Sequence, residues 1–115
     1  MAHVLENRTL EHFRDAVSET YGDRLERIVL FGSRARGDER SDSDYDVAVF
    51  LRDLGDLADP RELAARDAEM KRLADLSTAI LYESGEFIHA MPYPARSYNE
   101  RTPLMQEIRS EGIAL

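Results

Sequence analysis

Leu10, Phe13 and Val17 recur at steps of three and four, which predicts an amphipathic helix over Glu6–Tyr21 with Gly22 as its stop. Two short apolar runs follow, Ile28-Val29-Leu30-Phe31 and Val47-Ala48-Val49-Phe50-Leu51. Their length and their β-branched and aromatic content predict two strands, one within Arg24–Phe31 and one over about Tyr45–Leu51. Between them Ser33–Gly37 reads as a short helical turn, followed by a polar loop to Ser43. Asp53–Asp59 is a second loop. Asp59-Pro60-Arg61-Glu62 then combines an N-cap, a first-turn proline and an acid three residues after the cap. That start predicts a helix to about Glu83, with Leu63, Met70, Leu73 and Ile80 on its apolar side. Ser84-Gly85 ends it, and Glu86–Met91 reads as a third strand, with Pro92 and Pro94 expected to stop its pairing. A last helix opens at Thr102-Pro103, carries Leu104, Met105 and Ile108, and closes at Gly112.

These elements predict an α+β fold: a small mixed β-sheet flanked by helices, with the long helix crossing over between the second and third strands. Met70, Met91 and Met105 read as core filling. At 115 residues the chain is expected to form one domain, 1–115, without room for a separate substrate-binding domain.

Chemistry concentrates between the first two strands. Gly32-Ser33 is followed, ten residues later, by Asp44-Tyr45-Asp46. Residues two apart on a strand share a face, so Asp44 and Asp46 lie side by side, about 7 Å apart along the backbone, while Tyr45, Val47, Val49 and Leu51 take the other face. Paired carboxylates repel unless a cation compensates, and a hard divalent ion with oxygen ligands, Mg²⁺ most naturally, does so. Gly32 permits close backbone approach to a phosphate, Ser33 adds a hydroxyl, and Arg34 and Arg36 are candidate bidentate phosphate donors. The turn and the aspartates are expected at one open edge of the sheet. Two other motifs fail on their residues. An EF-hand starting at Asp42 would need Gly where Val47 stands, and a P-loop starting at Gly32 would need Lys-Ser/Thr where Asp38-Glu39 stand.

Gly32-Ser33, ten residues and Asp44-x-Asp46 between two apolar strands resembles the signature of the DNA polymerase β-type nucleotidyltransferase superfamily. The form Gly-Ser-Arg-Ala-Arg-Gly with Ser43-Asp44-Tyr45-Asp46-Val47 looks most like its minimal nucleotidyltransferase branch, and the likeness extends to Ser110-Glu111-Gly112-Ile113. The resemblance implies a polymerase β-like core and transfer of a nucleotidyl group, with AMP from ATP as the expected donor chemistry. Asp44 and Asp46 would be the catalytic metal ligands, and Gly32, Ser33, Arg34 and Arg36 would bind the nucleotide. It also implies a partner, a small helical HEPN-type toxin that accepts the nucleotide while this chain acts as antitoxin. Members of the superfamily bring a third carboxylate from the middle of a later strand. Here that stretch holds Ile88, His89 and Ala90, leaving Glu86 as a further candidate metal ligand and His89 as a candidate water-binding group or weak base. That departure favours an alternative, a nucleotidyltransferase-fold protein of weak or no activity that neutralises its partner by binding. A third reading, transfer to small molecules such as aminoglycosides, needs a pocket built between subunits, so both homo- and hetero-oligomers enter consideration.

Composition narrows the partners. Charged residues number 23 acidic against 15 basic, a net charge of −8, which opposes direct binding to duplex nucleic acid and suits a partner with a basic surface. The cluster Arg34, Arg36, Arg40 is diluted by Asp38 and Glu39. The absence of cysteine rules out a disulfide framework or a thiolate metal site. No stretch reaches the roughly 20 apolar residues of a membrane span, and the first residues lack a signal-like pattern, so a cytoplasmic location is expected.

Overall fold

The computed structural model describes residues 7–37, 44–55 and 58–115. Helix α1 is Arg8–Tyr21, strand β1 Leu25–Phe31, strand β2 Tyr45–Leu51, helix α2 Pro60–Ser84, strand β3 Ile88–Pro94, helix α3 Pro103–Glu111 and strand β4 Ile113–Ala114. Single helical turns stand at Ser33–Arg36 and, as tighter 3₁₀ turns, at Gly22–Arg24 and Ala95–Asn99. The sheet order is β3-β2-β1-β4. The β1–β2 and β1–β4 pairs are antiparallel, while β2 and β3 run parallel through the α2 crossover. This is the expected α+β architecture with a mixed sheet.

Capping chemistry sets the helix starts. Asn7 is extended and its Oδ1 accepts from the Leu10 N–H at 3.0 Å, so α1 begins at Arg8; the expected start at Glu6 lies outside the described residues. Asp59 accepts from Arg61 N–H at 2.9 Å and Thr102 Oγ1 from Met105 N–H at 3.2 Å, each followed by proline in the first helical turn.

Each sheet face buries a different core. Ile28, Leu30, Tyr45, Val47, Val49, Leu51 and Ile88 pack beneath α1 and α2, against Leu10, Phe13, Val17, Leu73 and Ile80. The other face, Val29, Ala48 and Phe50, is covered by Met105 and Ile108 of α3 together with Tyr93 and Tyr98. The alternation read from residues 45–51 therefore holds. Gly112 lets α3 turn directly into β4, because a Cβ there would stand 2.4 Å from Val29 Cγ1.

Four expectations need correction. First, β3 is Ile88–Pro94 rather than Glu86–Met91, and it pairs through both prolines, Pro92 with Val49 and Pro94 with Leu51. The hydrogen-bond phase explains why. Tyr45 N–H donates to Phe87 C=O at 3.1 Å, so in a parallel ladder the odd-numbered residues of β3 bond to β2. Pro92 and Pro94 have the other parity, and their missing donors fall on the unpaired edge, where proline is tolerated.

Second, Leu63 does not line the core; it is 47% exposed, and Met70 is half-buried. The buried α2 residues are Glu69, Leu73, Ser77 and Ile80. Glu69 is held by an ion pair with Arg24, whose Nε also meets Asp53 Oδ2 at 2.7 Å, locking α2 to the start of β1. Burial, and then the neighbouring Glu69, push the Tyr21 phenol up. Third, Met91 is only half-buried, leaving Met105 as the core methionine among the three. Fourth, the turn after β1 and the start of β2 are not at a lateral edge. They share one end of the two central strands, the edges being β3 and β4.

The core assignment has a direct check. Phe13, fully buried, is expected to cost about 3–5 kcal/mol in urea unfolding when changed to Ala. Leu63→Ala should cost less than about 0.5 kcal/mol. Equal losses would return Leu63 to the core.

Candidate active site

Phe31 is the last residue of β1 and pairs with Asp46, the second residue of β2. Gly32 follows with φ 75° and ψ −158°, a conformation that L side chains rarely adopt. Its carbonyl then accepts from Ala35 N–H at 3.1 Å and Arg36 N–H at 3.2 Å, and Gly37, at φ 80°, closes the turn. This places Ser33 at the mouth of the two central strands. A Cβ on residue 32 would lie 2.5 Å from Asp46 Oδ2, so the carboxylate occupies the space that glycine leaves open. Antiparallel register between β1 and β2 thus brings Gly32 beside Asp46.

Asp46 lies between Tyr45 and Val47, which enter the helix-packed core, so its side chain takes the opposite face and stays 37% exposed. Asp44, exposed and immediately before β2, has the same parity. On the neighbouring strand His89 stands in register with Asp46, and its Nδ1 is 3.7 Å from Asp46 Oδ1. His89 therefore holds the place beside the aspartate on β3.

Glu86 is not brought to this group. Its Oε1 accepts from Thr9 Oγ1 at 2.6 Å and its Oε2 from Tyr45 OH at 2.9 Å, with Arg34 Nη2 4.0 Å away. Asn7 Nδ2 donates to the same phenol at 2.9 Å. Burial pushes the Tyr45 phenol up, Asn7 pulls it down and Glu86 adds to the rise. The Arg34 guanidinium carbon sits 4.3 Å over the Tyr45 ring, on the helix-packed side of β2. Arg36 turns towards the helix over the Asp46 face, 3.5 Å from Glu107 and 3.9 Å from Glu111. Arg40, Asp38 and Glu39 lie outside the described residues.

Asp46, partly open to solvent and backed by a glycine cradle, and the exposed Asp44 two residues before it are an oxygen donor set suited to Mg²⁺. Among the described residues no three acidic or histidine side chains already converge on one point. An apolar cleft of about 200 Å³ lies between α2 and β3, lined by Met70, Ala74 and Thr78 of the helix and by Ile88, His89 and Ala90 of the strand. Its lining includes neither aspartate. No described helix is long and apolar enough to cross a membrane.

The sequence pointed to Gly32, Ser33, Asp44 and Asp46, and the fold brings these to one end of the sheet. It did not reveal that His89 faces Asp46. The missing signal was the register of β3, displaced because its start was read at Glu86.

Two glycines separate cradle from backbone strain. Gly32→Ala and Gly37→Ala both force an L side chain to positive φ, each at about 1–3 kcal/mol, but a Cβ at residue 37 meets nothing within 4 Å. Only Gly32→Ala is expected to shift the Asp46 carboxyl resonance in carbon-detected NMR. Equal shifts in both variants would remove the cradle.

The polymerase beta, nucleotidyltransferase family matches residues 16–91, more than half of the chain. Two relatives from Methanocaldococcus jannaschii are provisionally named protein adenylyltransferases, MJ0604 and MJ0141. The first is 28% identical over 96 residues, covering 84% of this chain and 81% of the relative. The second is 33% identical over 54 residues, covering 47% and 54%. Among solved structures, a provisionally assigned nucleotidyltransferase of Sulfolobus solfataricus shares the fold at a TM-score of 0.61 and 15% identity, covering 93% of this chain and 76% of that one. A toxin–antitoxin crystallised with AMP-PNP matches at 0.57 and 21%, covering 90% and 70%. A variant of the MntA–HpeT toxin–antitoxin matches at 0.58 and 18%, covering 94% and 72%. With its Gly32 turn and Asp44-x-Asp46 strand inside the matched span, the chain belongs to the polymerase beta nucleotidyltransferase family.

Proposed function

We propose that this protein transfers AMP from ATP to a hydroxyl of a protein acceptor, a small helical HEPN-type toxin, and so acts as its antitoxin. The observation that carries the reading is the packing of Asp46 against Gly32 at the shared end of β1 and β2, with Asp44 immediately before β2. Gly32 and Ser33 would lie along the triphosphate. Arg36, on the Asp46 side of the sheet, would extend that contact on leaving Glu107 and Glu111. Mg²⁺ held by Asp44 and Asp46 would neutralise the phosphate oxygens and stabilise charge on the leaving pyrophosphate. The acceptor oxygen attacks the α-phosphorus in line; the new P–O bond forms as the α–β bridge breaks, pyrophosphate departs and the hydroxyl proton passes to a base or solvent.

Three lines support a protein acceptor. The relatives from Methanocaldococcus jannaschii carry the name protein adenylyltransferase. Chains of toxin–antitoxin complexes share the fold. A net charge of −8 suits a basic partner surface.

A second reading has its own observation. His89, not a carboxylate, stands beside Asp46 on β3, which favours a protein that neutralises its partner by contact with little transfer.

The two readings separate in one experiment. With radiolabelled ATP, Mg²⁺ and a co-purified partner, label is expected on the partner, and Asp44→Asn or Asp46→Asn should reduce it by at least about 100-fold. Protection from toxicity should fall in parallel. Variants that protect as well as the parent, with no label moved in either, would support binding alone.

A further inference from the structure

Asp46 and His89 are directly opposed in the parallel ladder, and neighbouring strands lie about 4.8 Å apart. Both side chains leave the same face, since Tyr45 and Val47 on one strand and Ile88 and Ala90 on the other turn into the helix-packed core. Nδ1 of His89 is 3.7 Å from Asp46 Oδ1, too far for a hydrogen bond. Ligands at about 2.1 Å from one ion stand about 3 Å apart when they are adjacent in its coordination shell. The imidazole is 57% exposed, so a small side-chain rotation closes that gap without disturbing the core.

From this register we infer that His89 is a nitrogen ligand of the ion held by Asp46, and that the site therefore prefers a nitrogen-accepting divalent metal such as Co²⁺ over Mg²⁺. The inference rests on the proposed nucleotidyltransferase reading and specifies its metal. A third carboxylate would add charge and a hard oxygen donor, the set that Mg²⁺ favours. An imidazole adds no charge and suits first-row transition metals. Glu86 does not compensate, because Thr9 and Tyr45 hold both of its oxygens.

Calorimetry of the full chain with AMP-PNP, titrated in the presence of Co²⁺ or Mg²⁺, reads the preference without turnover. The parent is expected to bind the Co²⁺ complex at least about tenfold more tightly than the Mg²⁺ complex. His89→Ala should remove most of that difference, weakening the Co²⁺ complex far more than the Mg²⁺ complex. His89→Asp should favour Mg²⁺. Bound Co²⁺ should also shift the His89 imidazole resonances paramagnetically, which an imidazole that merely packs nearby without coordinating would do far less. If the parent binds both complexes equally and His89→Ala changes neither, His89 is not a ligand, while the nucleotidyltransferase reading stands. If no metal-dependent uptake of AMP-PNP occurs with either ion, both are overturned.

Discussion

A side chain at residue 32 and the carboxylate of Asp46 would claim the same space, and the site depends on glycine resolving that conflict. The constraint comes from strand pairing. Because Phe31 ends β1 directly opposite Asp46, the next residue must turn sharply away, and it does so at a positive φ that places its α-carbon beside the carboxylate. Local backbone conformation, strand register and acid placement are therefore one requirement. The one-turn helix Ser33–Arg36 is folded back onto the Gly32 carbonyl, so Ser33 and the aspartates are held by the same element pair.

That arrangement sits on a sheet packed on both faces. The α1–α2 face is wholly apolar along β2, and the α3 face is apolar through Ala48 and Phe50 until it reaches Asp46. On β2 the acid thus appears where the second core ends and solvent begins. Tyr45 anchors the other side of the same strand end through Asn7, Glu86 and the Arg34 guanidinium. One residue pair, Tyr45-Asp46, consequently divides an anchoring network from a reactive face. Glu86, which precedes β3 and stands three residues before the strand partner of Asp46, serves the anchor.

Family membership and site geometry support nucleotidyl transfer, while residue choice on β3 gives this chain its own character. Where the superfamily resemblance leads one to expect a third acid, the strand presents an imidazole. Were His89 to join an ion there, the charge gathered around it would be lower by one and the donor set mixed. The protein carries a net charge of −8, so a polyphosphate approaches most favourably together with its cation, whose charge offsets repulsion.

By itself the sequence determined the strand alternation of residues 45–51, the capped starts of α2 and α3 and the Gly32-Ser33 turn. All of these are local: they follow from period, turn chemistry and capping within a few residues. Only the tertiary structure decided what depends on pairing and packing between distant segments. Leu63 was apolar at helical spacing, yet it faces solvent, while Glu69 is buried in an ion pair with Arg24 of the turn before β1. Pro92 and Pro94 looked like strand breakers, but the ladder's phase turned their nitrogens to the free edge. His89 met Asp46 through a parallel register that no local pattern encodes, since residues 43 positions apart are brought together only by the length and seating of the α2 crossover.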